Sequence, residues 1–139
     1  MSLSCIFNKK KMKKTILLLT AILFTLTVKS QESFSRAYLN VLISYESDLS
    51  YYEGANAFIF NVDGNSIVYY PHSGPSERFI YVSNITEDTD KYGDEYQMIK
   101  TIEVSTSEIV YFQLYKNQEF GLNMIYEEPI LLVHFYNKK

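Results

Sequence analysis

Ala57–Val62 (AFIFNV), Asp63-Gly64 and Asn65–Tyr70 (NSIVYY) decide the fold class. Two runs rich in β-branched and aromatic residues flank an Asp-Gly pair. That pair accepts the positive φ angles of a type I′ turn, whose twist matches the strands it joins. A hairpin is the direct reading. Downstream, Arg78–Asn84 (RFIYVSN), Glu95–Val104 (EYQMIKTIEV), Glu108–Lys116 (EIVYFQLYK), Leu122–Tyr126 (LNMIY) and Ile130–Tyr136 (ILLVHFY) read as further strands. Ser105-Thr106-Ser107, Asn117–Gly121 and Glu127-Glu128-Pro129 are short links, while Thr86–Asp94 reads as a polar acidic connection.

Upstream, residues 33–52 carry two periods. Phe34, Tyr38, Leu42, Tyr45, Leu49 and Tyr52 recur at helical spacing, whereas Leu39, Val41, Ile43 and Tyr45 alternate. The β-branched Val41 and Ile43 favour strand. The expectation is an all-β domain: an antiparallel meander of seven to eight short strands, curled into a barrel or packed as a sandwich.

Period two also assigns faces. Val110, Phe112 and Leu114 point inward, with Leu122 and Met124, then Leu131, Val133 and Phe135. Tyr96, Met98, Ile102 and Val104 are expected inward on the preceding strand, with Lys100 as a blemish. The opposite face carries Tyr111, Gln113 and Tyr115, then Asn123, then His134 and Tyr136.

The N-terminus reads differently. Lys9–Lys14 (KKKMKK) precedes the apolar Thr15–Val28 (TILLLTAILFTLTV), the order of a secretory signal peptide. The run is shorter than the ~20 residues a spanning helix needs. Val28-Lys29-Ser30 offers small residues for cleavage before Gln31, and Met12 can serve as the start of a complete signal. Residues 1–30 are therefore assigned to a signal peptide and 31–139 to one small β domain. The mature chain is expected in the periplasm or outside the cell, with no membrane span.

Cleavage changes the charge. Six of the 13 basic residues and none of the 16 acidic ones precede Gln31, leaving seven against sixteen, a net −9. Such a surface repels phosphates, which argues against nucleic-acid partners. The single Cys5 falls in the leader, so neither a disulfide framework nor a multi-cysteine zinc site is expected.

No constellation demands catalysis. His72 and His134 are far apart, and no G-x-S-x-G or cysteine nucleophile is present. Asp88, Asp90, Gly93 and Asp94 sit at EF-hand-like offsets, but Tyr92 takes a ligand position and Ile99 stands where a bidentate Glu is required. No catalytic residue, metal ligand or cofactor is assigned. Thirteen tyrosines and no tryptophan remain. Tyrosine offers a large rigid ring and one hydroxyl at low entropic cost, which suits a binding surface. Ordinary cross-strand packing on a sheet is the competing and simpler account.

The binding residues selected are Tyr111, Tyr115, His134 and Tyr136, and the partner class is a protein, peptide or glycan. The leading function is an exported, non-enzymatic binding domain. The alternatives are a small hydrolase or lyase using carboxylates or His72, and a lipocalin-like carrier of an apolar ligand. A leader, about a hundred residues of strands and a closing Phe135-Tyr136-Asn137 resemble small uncharacterised exported β-rich proteins of Gram-negative bacteria. That resemblance implies the fold and transfers no site residue.

Overall fold

The computed structural model describes residues 32–137, so the signal-peptide expectation lies outside the described residues. Residues 33–137 belong to one compact unit. Its strands are β1 (Phe34–Tyr45), β2 (Asp48–Val62), β3 (Ser66–Tyr70), β4 (Glu77–Tyr81), β5 (Thr86–Thr89), β6 (Glu95–Glu103), β7 (Ile109–Tyr115), β8 (Leu122–Glu127) and β9 (Ile130–Tyr136). A single 3₁₀ turn, Gln118–Phe120, precedes β8.

All neighbours are antiparallel, and the sheet closes on itself. β1 pairs with both β2 and β9, while β4 pairs with β6. Eight strands thus form an up-and-down barrel, and β5 is added outside the ring. The long β6 is shared between two partners. Thr101–Glu103 pair with β4, and Glu95–Met98 pair with β5. β5 arises within the stretch read as a connection. Its four residues, Thr-Glu-Asp-Thr, are all exposed and give no apolar alternation to read. Among the described residues no helix is long and apolar enough to cross a membrane.

The Asp-Gly hairpin is realised between β2 and β3. Asp63 and Gly64 have φ of 53° and 76°, and the Asn65 amide donates to the Val62 carbonyl at 3.2 Å. A bulge precedes the turn. Asn61 has φ 58°, and its amide donates to the Tyr81 hydroxyl at 3.1 Å. Residues 33–52 form a hairpin of two strands. A second bulge, between Tyr38 and Asn40, shifts the register of β1.

Eight strands leave an interior that side chains can fill. Phe58 sits at its centre, with ring centroids of Tyr38, Phe60, Tyr69, Phe112 and Phe135 between 4.4 and 6.3 Å away. Val41, Ile67, Phe79, Ile99, Val110, Leu114, Leu122 and Met124 complete the buried set. Val110, Phe112, Leu114, Leu122, Met124 and Phe135 therefore face inward as expected, and Val133 packs against them.

The face of β6 is the reverse of the expectation. Ile99, Thr101 and Glu103 are buried, while Tyr96, Met98, Lys100 and Ile102 are on the outer wall and Val104 is exposed. Pairing is the physical reason, because Ile99 lies opposite Phe112 and Thr101 opposite Val110. The polar inward residues are satisfied locally. Thr101 Oγ1 donates to the Val110 carbonyl at 2.7 Å, and Glu103 accepts from Ser105 Oγ at 2.8 Å and Thr106 Oγ1 at 2.9 Å. Lys100 finds a place outside, with its ammonium 5.9 Å from the Tyr111 ring centroid.

Candidate functional site

One end of the barrel is open. The starts of β1 and β6 and the end of β7 meet there, with β5 beside them. The lining residues are Phe34 and Arg36 of β1, Glu87–Thr89 of β5, Glu95–Gln97 of β6, and Leu114, Tyr115 and the following Lys116. They enclose a recess of 560 Å³. Register explains the convergence. Leu114 pairs with Gln97, and Gln97 pairs with Glu87, so these three share one face of the sheet, which is the lumen face on β6 and β7. Across the lumen, Phe34 and Arg36 pair with Phe60 and Phe58, both fully buried.

Arg36 is the unusual group. Its guanidinium carbon lies 5.0 Å from the Phe34 ring centroid, and Nη1 donates to the Ser35 carbonyl at 3.3 Å. Nε is buried and has no hydrogen-bond partner. One step deeper on the same face is Tyr38, only 2% exposed, whose hydroxyl is likewise buried and unpartnered. Burial pushes the Tyr38 hydroxyl up to about 12, against the opposing effect of the Arg36 charge. The hydroxyl therefore keeps its proton at neutral pH and can donate. An unpaired buried polar group costs about 1–3 kcal/mol, and two stand together here. The lip carries a second cation, Lys116, whose Nζ lies 3.0 Å from Glu95 Oε2. Glu87 and Asp88 complete the charged lining.

The opposite end of the barrel is acidic. Glu77 is raised by burial and then by the charge of Glu103. Both Glu103 oxygens are held by Ser105 and Thr106, which fixes the β6–β7 turn. That carboxylate is committed to structure. His72 is exposed, and its backbone amide donates to Asn56 Oδ1 at 3.1 Å.

The four residues singled out from the sequence lie on the outer wall, but not as one cluster. Gln113, Asn123 and His134 are successive cross-strand partners on β7, β8 and β9. Asn123 Nδ2 donates to Gln113 Oε1 at 2.9 Å, and His134 Nδ1 lies 2.6 Å from Asn123 Oδ1. Burial lowers the His134 pKa, so the neutral ring predominates at neutral pH and Nδ1–H can donate along this chain. The ring stacks on Tyr136 at 5.1 Å and 14°. Tyr111 stands apart, beside Lys100. Tyr115 is engaged elsewhere: its hydroxyl donates to Asp90 Oδ2 at 3.2 Å, and its ring meets Tyr96 and Phe120 edge-on.

The acidic loop is thereby joined to the tyrosine face. Asp90 also accepts from the Tyr92 and Asp94 amides at 2.9 and 3.0 Å. These bonds hold its carboxyl below the usual range, outweighing desolvation, which is the largest single influence and acts the other way. Asp90 organises its own loop.

Sequence reasoning passed over Phe34, Arg36 and Tyr38. The signal was present, since the three alternate at period two and Arg36 is one of only two arginines in the chain. The two competing periods of residues 33–52 obscured it. In comparisons with known proteins, the chain matches no family model, no curated protein and no solved structure. Its geometry alone carries the functional reading.

Proposed function

We propose that the protein is an exported, non-enzymatic binding domain that seats a small ligand at the open end of its barrel. One observation carries this reading: Arg36 lines the 560 Å³ recess, and its Nε is buried without a partner. Buried polar groups in folded proteins are overwhelmingly paired, so a donor left free on a residue lining an opening is explained by a ligand that completes it. The volume is within the ~300–1,000 Å³ typical of ligand sites. The aromatic rings filling the middle of the barrel favour a seat at the mouth over a deep lipocalin-like cavity. Export rests on the basic and apolar leader before Gln31.

A second reading is contact with a peptide or glycan through the outer wall. The Gln113–Asn123–His134 chain supports it by holding the His134 ring flat against Tyr136.

Both readings are tested on protein recovered from its host, whose N-terminus is expected within a few residues of Gln31. Backbone amide shifts are followed while a small-molecule collection is titrated. The expected shifts fall on Phe34, Arg36, Gln97 and Leu114. Shifts confined to Tyr111, His134 and Tyr136 would transfer the function to the outer wall.

A further inference from the structure

We propose that the recess takes a monocarboxylate carrying a ring-sized or short-chain apolar body. This inference rests on the seat at the barrel mouth and adds the chemistry of its occupant. Arg36 offers only donors, arranged in a planar fork that matches a carboxylate. One of them, Nη1, is used by Ser35, whereas Nε has no partner. The Tyr38 hydroxyl, one inward position deeper on β1, is buried and also unpaired, so no acceptor from that side meets the Arg36 fork. An unmet donor on a cation favours an acceptor that is itself anionic.

Charge limits that anion to a single unit. Lys116 is already paired with Glu95, which leaves Arg36 as the one cation of the lining without a carboxylate bonded to it. Glu87 and Asp88 stand in the same lining and repel any second negative charge. A phosphate dianion is therefore disfavoured against a carboxylate. The apolar body follows from Phe34 and Leu114, which give the lumen side of the recess a ring and an aliphatic surface.

The test is calorimetric titration of the purified protein with 4-phenylbutyrate, its primary amide and 4-phenylbutyl phosphate. The carboxylate is expected to bind about tenfold or more tighter than either analogue, the size of a hydrogen bond to a charged group. Arg36→Gln should reduce its affinity to that of the amide, while Arg36→Lys retains part of the preference. Unchanged thermal unfolding of Arg36→Lys shows that the fold is intact in that comparison. Equal affinity for acid and amide, or a carboxylate affinity untouched by Arg36→Gln, overturns the proposed chemistry. If in those cases the amide shifts still map to Phe34, Gln97 and Leu114, the seat itself survives. Absence of binding by all three probes up to about millimolar concentration overturns the monocarboxylate assignment. Shifts that map only to the outer wall overturn the seat as well.

Discussion

Phe112→Ala and Phe135→Ala are each expected to lose about 3–5 kcal/mol of stability, and Tyr111→Ala clearly less. Phe112 is fully buried, and its ring meets Phe79 at 4.9 Å and Phe58 at 6.3 Å, both edge-on. Phe135 meets Phe58 at 4.8 Å and Tyr69 at 5.5 Å. Truncating either ring opens a hole at the centre of a barrel whose walls are pinned by hydrogen bonds and cannot collapse into it. Tyr111 neighbours Phe112 in sequence but faces the outer wall, so its removal exposes no core. A small domain has only ~5–15 kcal/mol in total, so either core variant approaches its unfolding threshold. Urea titrations of the three variants measure the differences. Equal losses at Tyr111 and Phe112 would contradict the assignment of faces.

Gly121→Ala is expected to cost about 3 kcal/mol or more, and Gly64→Ala only about 1 kcal/mol. Both glycines have positive φ, 75° and 76°. They differ in what a side chain would meet. Gly64 is at the tip of the β2–β3 hairpin with open space around it. Gly121 is buried between the 3₁₀ turn and β8, at ψ −145°, and an added Cβ would run into the Phe135 carbonyl on β9. Backbone cannot swing aside as a flexible side chain can, and moving it would break the pairing of Leu122 with Phe135. Denaturation midpoints of the two variants provide the comparison. A loss below about 1 kcal/mol at Gly121 would show that the β8–β9 contact is looser than described.

These effects show which parts of the molecule were legible from sequence. The hairpin at Asp63-Gly64 was, because its turn chemistry and flanking strands agree. The faces of β7, β8 and much of β9 were legible too, since their apolar residues fall at one parity. β6 misled because both of its parities are largely apolar, and counting apolar residues placed Tyr96, Met98 and Ile102 inside. Lys100 carried the correct information, as an unpaired lysine is a poor tenant of a small barrel. Thr101 and Glu103 are tolerated inside only through partners that pairing creates, which no period reveals.

β1 was obscured by its bulge. Inward positions run Phe34, Arg36, Tyr38 and then Val41, Ile43, so one step of three interrupts the steps of two. That interruption breaks the strand period and sends Leu39, part of the expected alternation, to a 60% exposed position. Arg36 and Tyr38 were hidden by the same irregularity, and with them the mouth of the barrel. Asn137 illustrates how tertiary context gives meaning to a terminal residue. Its side chain accepts from the Leu39 amide and donates to the Ala37 carbonyl, both at 2.9 Å, extending the edge of β1 beyond the end of β9.

On the proposed reading, Arg36 Nε and the Tyr38 hydroxyl are left without partners at a cost to the fold. Tyr38→Phe tests it most directly, because it removes the buried hydroxyl and preserves the ring that packs on Phe58 and Phe135. With no ligand added, chemical denaturation should find the variant more stable than wild type by about 1–3 kcal/mol, the cost of an unsatisfied buried group. A variant less stable than wild type would show that the hydroxyl already serves the folded protein, and would contradict the claim.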